Sequence, residues 1–444
     1  MEWRKRMAEK SMKPTVNLYF HELAFAKRQQ RVGLEGNYME HLYRYFEYLM
    51  QYTSTVDPEF ELPYNFVLKQ YADVVDIPPD PNVPTLVFLP LNLDILRFIQ
   101  NNKPDLVPAL QQLDSQKNIH LCFDFAQESA YPGNFCKTNS PLSLCTETIN
   151  FQQWNLFCFS TLIKNKPNTN NFKNIFYGIS YTATWLFKVV EQETPWIGNP
   201  DLIYTHKGKS GPIRYFVPNN EFRPSRAQTI VAMHDKDMLN DAEWNMNSFK
   251  DWDMHTNSST YLGWLSNEWT DRYLELFGKA PRTMSYPWNK TFNLKHPPAE
   301  FWPDDLLDMT YIYIATETFA DYNNEGAHKD VQDFISIEVT EKIFKGYIYG
   351  MPMFIMGRPG SQASYKEIGF DTFEDMMSVP YDHIADRDER CDAMLESAKS
   401  FPTATPELIE RLHVNKRHAM KKETLWNMLD MSPEKDLLKK LLDN

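Results

Sequence analysis

Residues Thr340 to Phe373, TEKIFKGYIYGMPMFIMGRPGSQASYKEIGFDTF, decide how this chain is read. Thr340 stands before Glu341, Lys342 and Lys345, so a helix that starts here can be capped by the threonine while its lysines, three apart, lie on nearly one face. Met353 to Met356 is short and apolar and lies between Pro352 and Gly357, which predicts a buried strand rather than a helix. The turn Gly357-Arg358-Pro359-Gly360-Ser361 then falls at the carboxyl end of that strand, where open α/β sheets place their ligands. A helix opening offers backbone N–H groups and the positive end of a dipole, so with the two lysines it suits a diphosphate and gains little from a neutral ligand.

Two further stretches fall into the same pattern. Arg214 to Arg226, RYFVPNNEFRPSR, reads as a strand, a polar turn and the start of a helix with Pro224 in its first turn. Arg223 and Arg226, three residues apart, can converge there on one anion, and a guanidinium grips phosphate with two parallel bonds. Tyr311 to Thr318, YIYIATET, reads as a strand with Glu317 at its end.

Taken in order, these three blocks resemble the carboxyl-terminal half of GT-B glycosyltransferases, in particular the fucosyltransferase-like and the viral or phage relatives. The matching elements are Thr340-Glu341-Lys342, the apolar strand, the Gly/Pro turn and Ile368 to Phe373, IGFDTF. The resemblance implies two Rossmann-like α/β domains facing each other across a cleft, and transfer of a sugar from a nucleotide-diphosphate-sugar donor to a hydroxyl acceptor. It implies donor-binding roles for Asn220, Arg223, Arg226, Glu317, Thr340, Glu341, Lys342 and Lys345: the arginines on the diphosphate, Glu341 on the ribose, and Lys342 or Lys345 on a phosphate, while Glu317 at its strand end can hold a donor sugar hydroxyl or cap a loop. No cofactor beyond the donor and no essential metal are expected. The polar stretch from Asp321 to Asp330 departs from the family pattern and reads as a loop able to close over the site.

Length and composition agree with two domains. The chain has 444 residues, beyond the size at which a single core stops growing, with 42% hydrophobic, 24% charged and 14% aromatic residues. Val16 to Phe20, Thr85 to Leu89, His120 to Phe125 and Ile175 to Ile179 read as strands, and Tyr38 to Tyr52 as an aromatic-rich helix. Strands alternating with helices predict a parallel sheet. Gly/Pro-rich stretches near the middle put the boundary near residue 205, giving an acceptor-side domain over 1–205 and a nucleotide-sugar domain over 206–405. Helices over 406–444 are expected to cross back to the first domain.

An inverting transfer needs a base from the first domain. The strand-end candidates are His21, Glu22, Asp124 and Glu128, of which Glu128 is favoured, with Asp124 next, because its strand runs into a loop ending at Gly133. A retaining reaction needs none of them. Asp251-Trp252-Asp253 has the spacing of a manganese-binding D-x-D, but it lies just beyond the Arg223 block rather than after a first nucleotide-binding half. His234 to Asp237 reads as a charged helix face. No P-loop, G-x-G-x-x-G or G-x-S-x-G is present, so kinase, dehydrogenase and hydrolase readings have no footing.

The formal charge of −13 argues against a broad polyanion-binding surface but leaves room for a local basic groove. Five cysteines without paired spacing fit a reducing compartment. No apolar run has the length of a membrane span and the amino terminus lacks a signal-peptide core, so a cytoplasmic protein is expected. The expected partners are the donor and a glycan or other hydroxyl acceptor. Two alternatives remain open: a viral or phage enzyme that glycosylates a hydroxymethylated DNA base, and an inactive nucleotide- or glycan-binding module.

Overall fold

The computed structural model describes residues 13–21, 37–72, 76–78, 82–90, 106–116, 118–125, 155–158, 161–163, 174–177, 213–219, 222–246, 267–278, 280, 307, 309–317, 336–338, 341–429 and 436–443. In chain order the first half holds β1 (Thr15–His21), α1 (Asn37–Gln51), β2 (Asn65–Tyr71), β3 (Thr85–Pro90), α2 (Leu106–Asp114), β4 (Ile119–Phe125), β5 (Asn155–Cys158), β6 (Thr161–Ile163) and β7 (Asn174–Tyr177). The second half follows with β8 (Tyr215–Val217), α3 (Pro224–Asp235), β9 (Ala242–Trp244), α4 (Asn267–Phe277), β10 (Ile312–Thr316), β11 (Ser336–Glu338), α5 (Glu341–Tyr349), β12 (Met353–Met356) and α6 (Ser361–Glu367). The chain closes with α7 (Arg387–Ser400), α8 (Pro406–Ala419), α9 (Lys422–Asn427) and α10 (Leu437–Asp443).

Two parallel sheets result. The first has six strands in the order β2-β1-β3-β4-β5-β7, and the second four in the order β12-β10-β8-β9. Numbered within each sheet, the first runs 2-1-3-4-5-6 and the second 2-1-3-4, so the chain repeats one doubly wound plan. The sequence explains which strands lie inside. Six of the seven residues of β1 are buried, as are Thr85 to Leu89, because helices and loops cover both faces of a parallel sheet. Strand β2, with exposed Asn65 and Gln70, is the half-solvated edge. Strands β8, β10 and β12 are buried throughout.

Among the described residues, a strand pair and the last helices tie the two halves together. Strand β6 leaves the carboxyl end of β5 and pairs antiparallel with β11, Thr161 opposite Glu338 and Ile163 opposite Ser336. The carboxyl-terminal helices also pack on α1 and on the segment that joins it to β2. The Tyr45 hydroxyl donates to the Leu425 carbonyl, and Tyr52 and Ser54 both donate to the Met420 carbonyl, at 2.8 and 2.7 Å. The Asp57 carboxylate accepts from the Lys422 and Glu423 amides, each at 3.0 Å, and so caps α9 from a distant part of the chain. Tyr64 donates to Asp443 at 2.9 Å. One continuous apolar cluster joins Val16, Tyr45 and Phe88 to Phe216, Ile343 and Leu441.

Cys122 and Cys391 are buried and unbridged, and burial pushes the Cys391 thiol up to about 12, so neither is a ready nucleophile. Among the described residues no helix is long and apolar enough to cross a membrane. The boundary expected near residue 205 and the loop at 321–330 lie outside the described residues.

Candidate functional site

A doubly wound sheet opens a crevice where its strand order reverses, at the carboxyl ends of its first and third strands. In the second sheet these are β8 and β10. The register carries Thr316 level with Asn219, and the two residues are bonded: the Thr316 hydroxyl donates to Asn219 Oδ1 at 2.7 Å. The Asn219 amide N–H donates to Asn245 Oδ1, also at 2.7 Å, which ties in the residue following β9. Asn219 Nδ2 is buried and has no acceptor among the described residues. A buried amide donor without a partner costs about 1–3 kcal/mol, so this atom marks a place where a ligand or water fits.

Glu317 follows β10 and is the residue on which the site turns. It is 1% exposed. Its backbone N–H donates to the Met356 carbonyl at 2.9 Å, continuing the ladder to β12. Its carbonyl accepts from the Ser225 hydroxyl at 2.9 Å, which fastens the first turn of α3 to it. Its carboxylate meets the Lys342 ammonium, Oε2 to Nζ 3.3 Å, which fastens the first turn of α5 to it. The openings of two helices more than 100 residues apart therefore converge on one buried residue at the switch point, one on its backbone carbonyl and the other on its carboxylate.

The same two helices carry further cations. Arg226, next to Ser225, and Lys345, one turn along α5 from Lys342, are each 5% exposed. Arg223 is half-buried at the N-cap of α3, where its side chain makes no capping bond and Pro224 starts the helix without an N–H of its own. A helix that begins this way leaves its first turn to be satisfied from elsewhere. Glu341 opens α5, with its side chain outside the described residues.

The turn after β12 behaves differently from the sequence expectation. Asp382 accepts from the Gln362 and Ala363 amides, at 3.0 and 2.8 Å, so the start of α6 already holds a carboxylate of the protein itself. Arg390 is buried and donates to the Gly357 carbonyl at 3.0 Å and to the Ile384 carbonyl at 2.7 Å, pinning the turn from below. Gly360 takes φ +87°, and a Cβ on Gly357 would lie 2.6 Å from Ser361 Oγ. The turn is thus a finished structural joint rather than an open anion cradle.

Of the other expected site residues, Asn220, Thr340 and Glu128 lie outside the described residues, as do Glu22, Asp251 and Asp253. Asp124 stands at the carboxyl end of β4 opposite Pro90, with its side chain outside them. His234 and Asp235 end α3, and Asp235 pairs with Arg272 at 2.7 Å on the surface. No group of three or more His, Cys, Asp or Glu side chains placed to hold a metal occurs among the described residues. Sequence reasoning missed Asn219, Ser225, Asn245 and Asp382; the one local signal was the paired asparagines at the end of the β8 stretch.

No protein-family model matches the chain, and no curated protein matches it. Among solved structures, the α,α-trehalose 6-phosphate synthase from Burkholderia multivorans aligns at 9% identity and a TM-score of 0.34, over 94% of this chain and 96% of that one. The two strand orders are those of an α/β protein with two Rossmann-like sheets.

Proposed function

We propose that the protein is a GT-B glycosyltransferase that moves a sugar from a nucleotide-diphosphate donor to a hydroxyl acceptor, with no cofactor beyond the donor. The observation that carries this reading is the meeting of Ser225 of α3 and Lys342 of α5 on buried Glu317 at the switch point of the second sheet. A pyrophosphate lying there would face the Lys342 ammonium, the Arg226 guanidinium and the openings of two helices. These charges match the charge that grows on a departing nucleoside diphosphate, the role that a metal ion fills in other transferases. Glu317 is placed to accept from donor hydroxyls once the phosphate takes a share of Lys342, and Asn219 Nδ2 offers a further donor.

A thermal-shift panel of UDP-, GDP-, ADP- and CMP-linked sugars tests it, because a ligand that binds only the folded state raises the melting temperature by mass action. One nucleotide series should stabilise the protein, and its nucleoside diphosphate alone should retain most of the effect. A panel in which no donor and no nucleoside diphosphate shifts the transition, at concentrations up to the millimolar range, overturns the reading.

A further inference from the structure

An open cleft of about 780 Å³ lies at the amino edge of the first sheet, where Thr15 at the start of β1 stands opposite Asn65 at the start of β2. This is the edge away from the carboxyl ends of the strands, at which doubly wound sheets bind their nucleotides. The segment joining α1 to β2 lines it from one part of the chain, and Lys422, the first residue of α9, lines it from the other end of the sequence. Its volume is that of a small-molecule pocket.

Two ammonium groups, Lys13 and Lys422, line the cleft beside one carboxylate, Glu61. Lys13 meets Glu61 at 2.8 Å, but the two side chains are 36% and 53% exposed, and a pair so well solvated contributes little that a ligand anion cannot replace. Lys422 makes no ion pair among the described residues. Neighbouring Asp57 spends its two oxygens on the Lys422 and Glu423 amides, and burial together with the Lys13 charge holds the Lys422 ammonium below the usual lysine range. An anion set between the two lysines relieves that repulsion. The rings of Phe60, Tyr64 and Phe66 complete the lining, with Trp426 behind Tyr64 and Phe66 at centroid distances of 6.2 and 5.9 Å. The Tyr64 hydroxyl is taken by Asp443, so its contribution to the cleft is its ring. A bare anion leaves these rings wet, and a neutral aromatic leaves the lysines unmatched.

We propose that this cleft is a second ligand site, one that takes a small aromatic carboxylate or phosphate with its anionic head between Lys13 and Lys422 and its ring against Phe60 and Phe66. The site is separate from the donor crevice and does not depend on the glycosyltransferase reading. Its occupant touches the starts of β1 and β2 and the start of α9 together, and so adds to the hold of the last helices on the first sheet. Binding there strengthens the same junction that Tyr52, Ser54 and Asp57 make by hydrogen bonds.

The test uses the full chain with naphthyl phosphate and naphthoate as probes, followed by calorimetric titration and by amide hydrogen exchange. At least one probe should bind saturably and one to one below millimolar concentration, and the tighter of the two identifies the head group. Lys13→Met and Lys422→Met keep the methylene stem and lose the charge, so each should weaken that probe about fivefold or more, the lower end for a charge-assisted bond, while Lys422→Arg stays within threefold. Bound probe should slow exchange in the peptides covering 60–66 and 422–427. Naphthol and inorganic phosphate, the two halves of the ligand taken singly, should each bind at least tenfold more weakly. An excess of the nucleoside diphosphate selected by the panel should leave the probe's affinity within twofold, and a panel that selects none leaves the exchange result to locate the probe. No saturable binding of either probe, unchanged affinity in both methionine variants, or protection confined to other peptides each overturns the proposal. Inorganic phosphate that matches naphthyl phosphate marks an adventitious ion only and overturns it too. Should Lys422→Met fail to fold, Lys13→Met decides, since it removes no more than a solvated pair.

Discussion

Replacing Lys342 by alanine separates a donor site from an ordinary ion pair. Lys342 Nζ lies 3.3 Å from Glu317 Oε2, and the two side chains are 22% and 1% exposed. At an effective dielectric of about 20 the gross attraction across that distance is about 5 kcal/mol, most of it offset by the cost of taking a carboxylate out of water. Lys342→Ala strands the carboxylate, and because the lysine is partly solvated the loss of stability should be about 2–4 kcal/mol, at or below the range for fully buried pairs. Glu317→Gln leaves an ammonium that still reaches water and should cost less, about 0.5–1.5 kcal/mol. The double variant should then be more stable than the sum of the two singles implies, as judged from urea midpoints. Binding adds an independent readout. Lys342→Ala should weaken the nucleoside diphosphate by about 1–3 kcal/mol, about 5- to 150-fold in Kd by calorimetric titration. Glu317→Gln should leave the nucleoside diphosphate within threefold and weaken only the nucleotide-sugar. Wild-type affinity for the nucleoside diphosphate in Lys342→Ala would refute the placement of the phosphates, and strict additivity of the stabilities would refute the coupling.

Three more outcomes are expected. Asn219→Ala leaves the buried Thr316 hydroxyl without its acceptor, so the free protein should lose about 1–2 kcal/mol in urea titration while its melting-temperature gain with the nucleotide-sugar shrinks. Gly369 takes φ +96°, and a Cβ there would lie 2.9 Å from His418 Nε2; Gly369→Ala should cost about 2–3 kcal/mol, and a midpoint unchanged from wild type would show that the segment yields freely. His418 is held below the usual histidine range, first by burial, with its Nε2–H donating to the Ile368 carbonyl at 2.7 Å. The folded state thus resists a proton that the unfolded chain accepts below about pH 6.5, so its contribution is present above that pH and is lost as the pH falls through and below it. His418→Asn should flatten the fall of the urea midpoint between about pH 7 and pH 5.

Much of the architecture was readable because strands buried on both faces appear as mostly apolar runs. Val16 to Phe20, Thr85 to Leu89 and Met353 to Met356 were legible for that reason, the last bounded by Pro352 and Gly357. Strand β2 was not, since Lys69 and Gln70 at the sheet edge break the run, and β9, only Ala242–Trp244, is too short to show a period. The strand orders were beyond sequence reasoning, because they depend on which side each crossover takes. In the site, Glu317 and Lys342 could be nominated from a strand end and a helix start, and the structure brings them within 3.3 Å. Ser225, Asn219 and Asp382 could not, because each acts through the pairing of distant loops. Asp382 reaches Gln362 across 20 residues, and Ser225 reaches Glu317 across 92.

The grip of the last helices on α1 has a consequence for the birth of the protein. Tyr45, Tyr52, Ser54 and Asp57 find their partners more than 360 residues downstream. A ribosome adding about 5–20 residues each second needs roughly 20–70 s to reach them from α1, and nascent domains otherwise fold as they emerge. The first sheet must therefore wait with part of its outer layer bare until residues 420–425 have been made. Completion of this layer comes late in synthesis, and a message cut short near residue 405 should yield a sticky intermediate for chaperones rather than a smaller working protein.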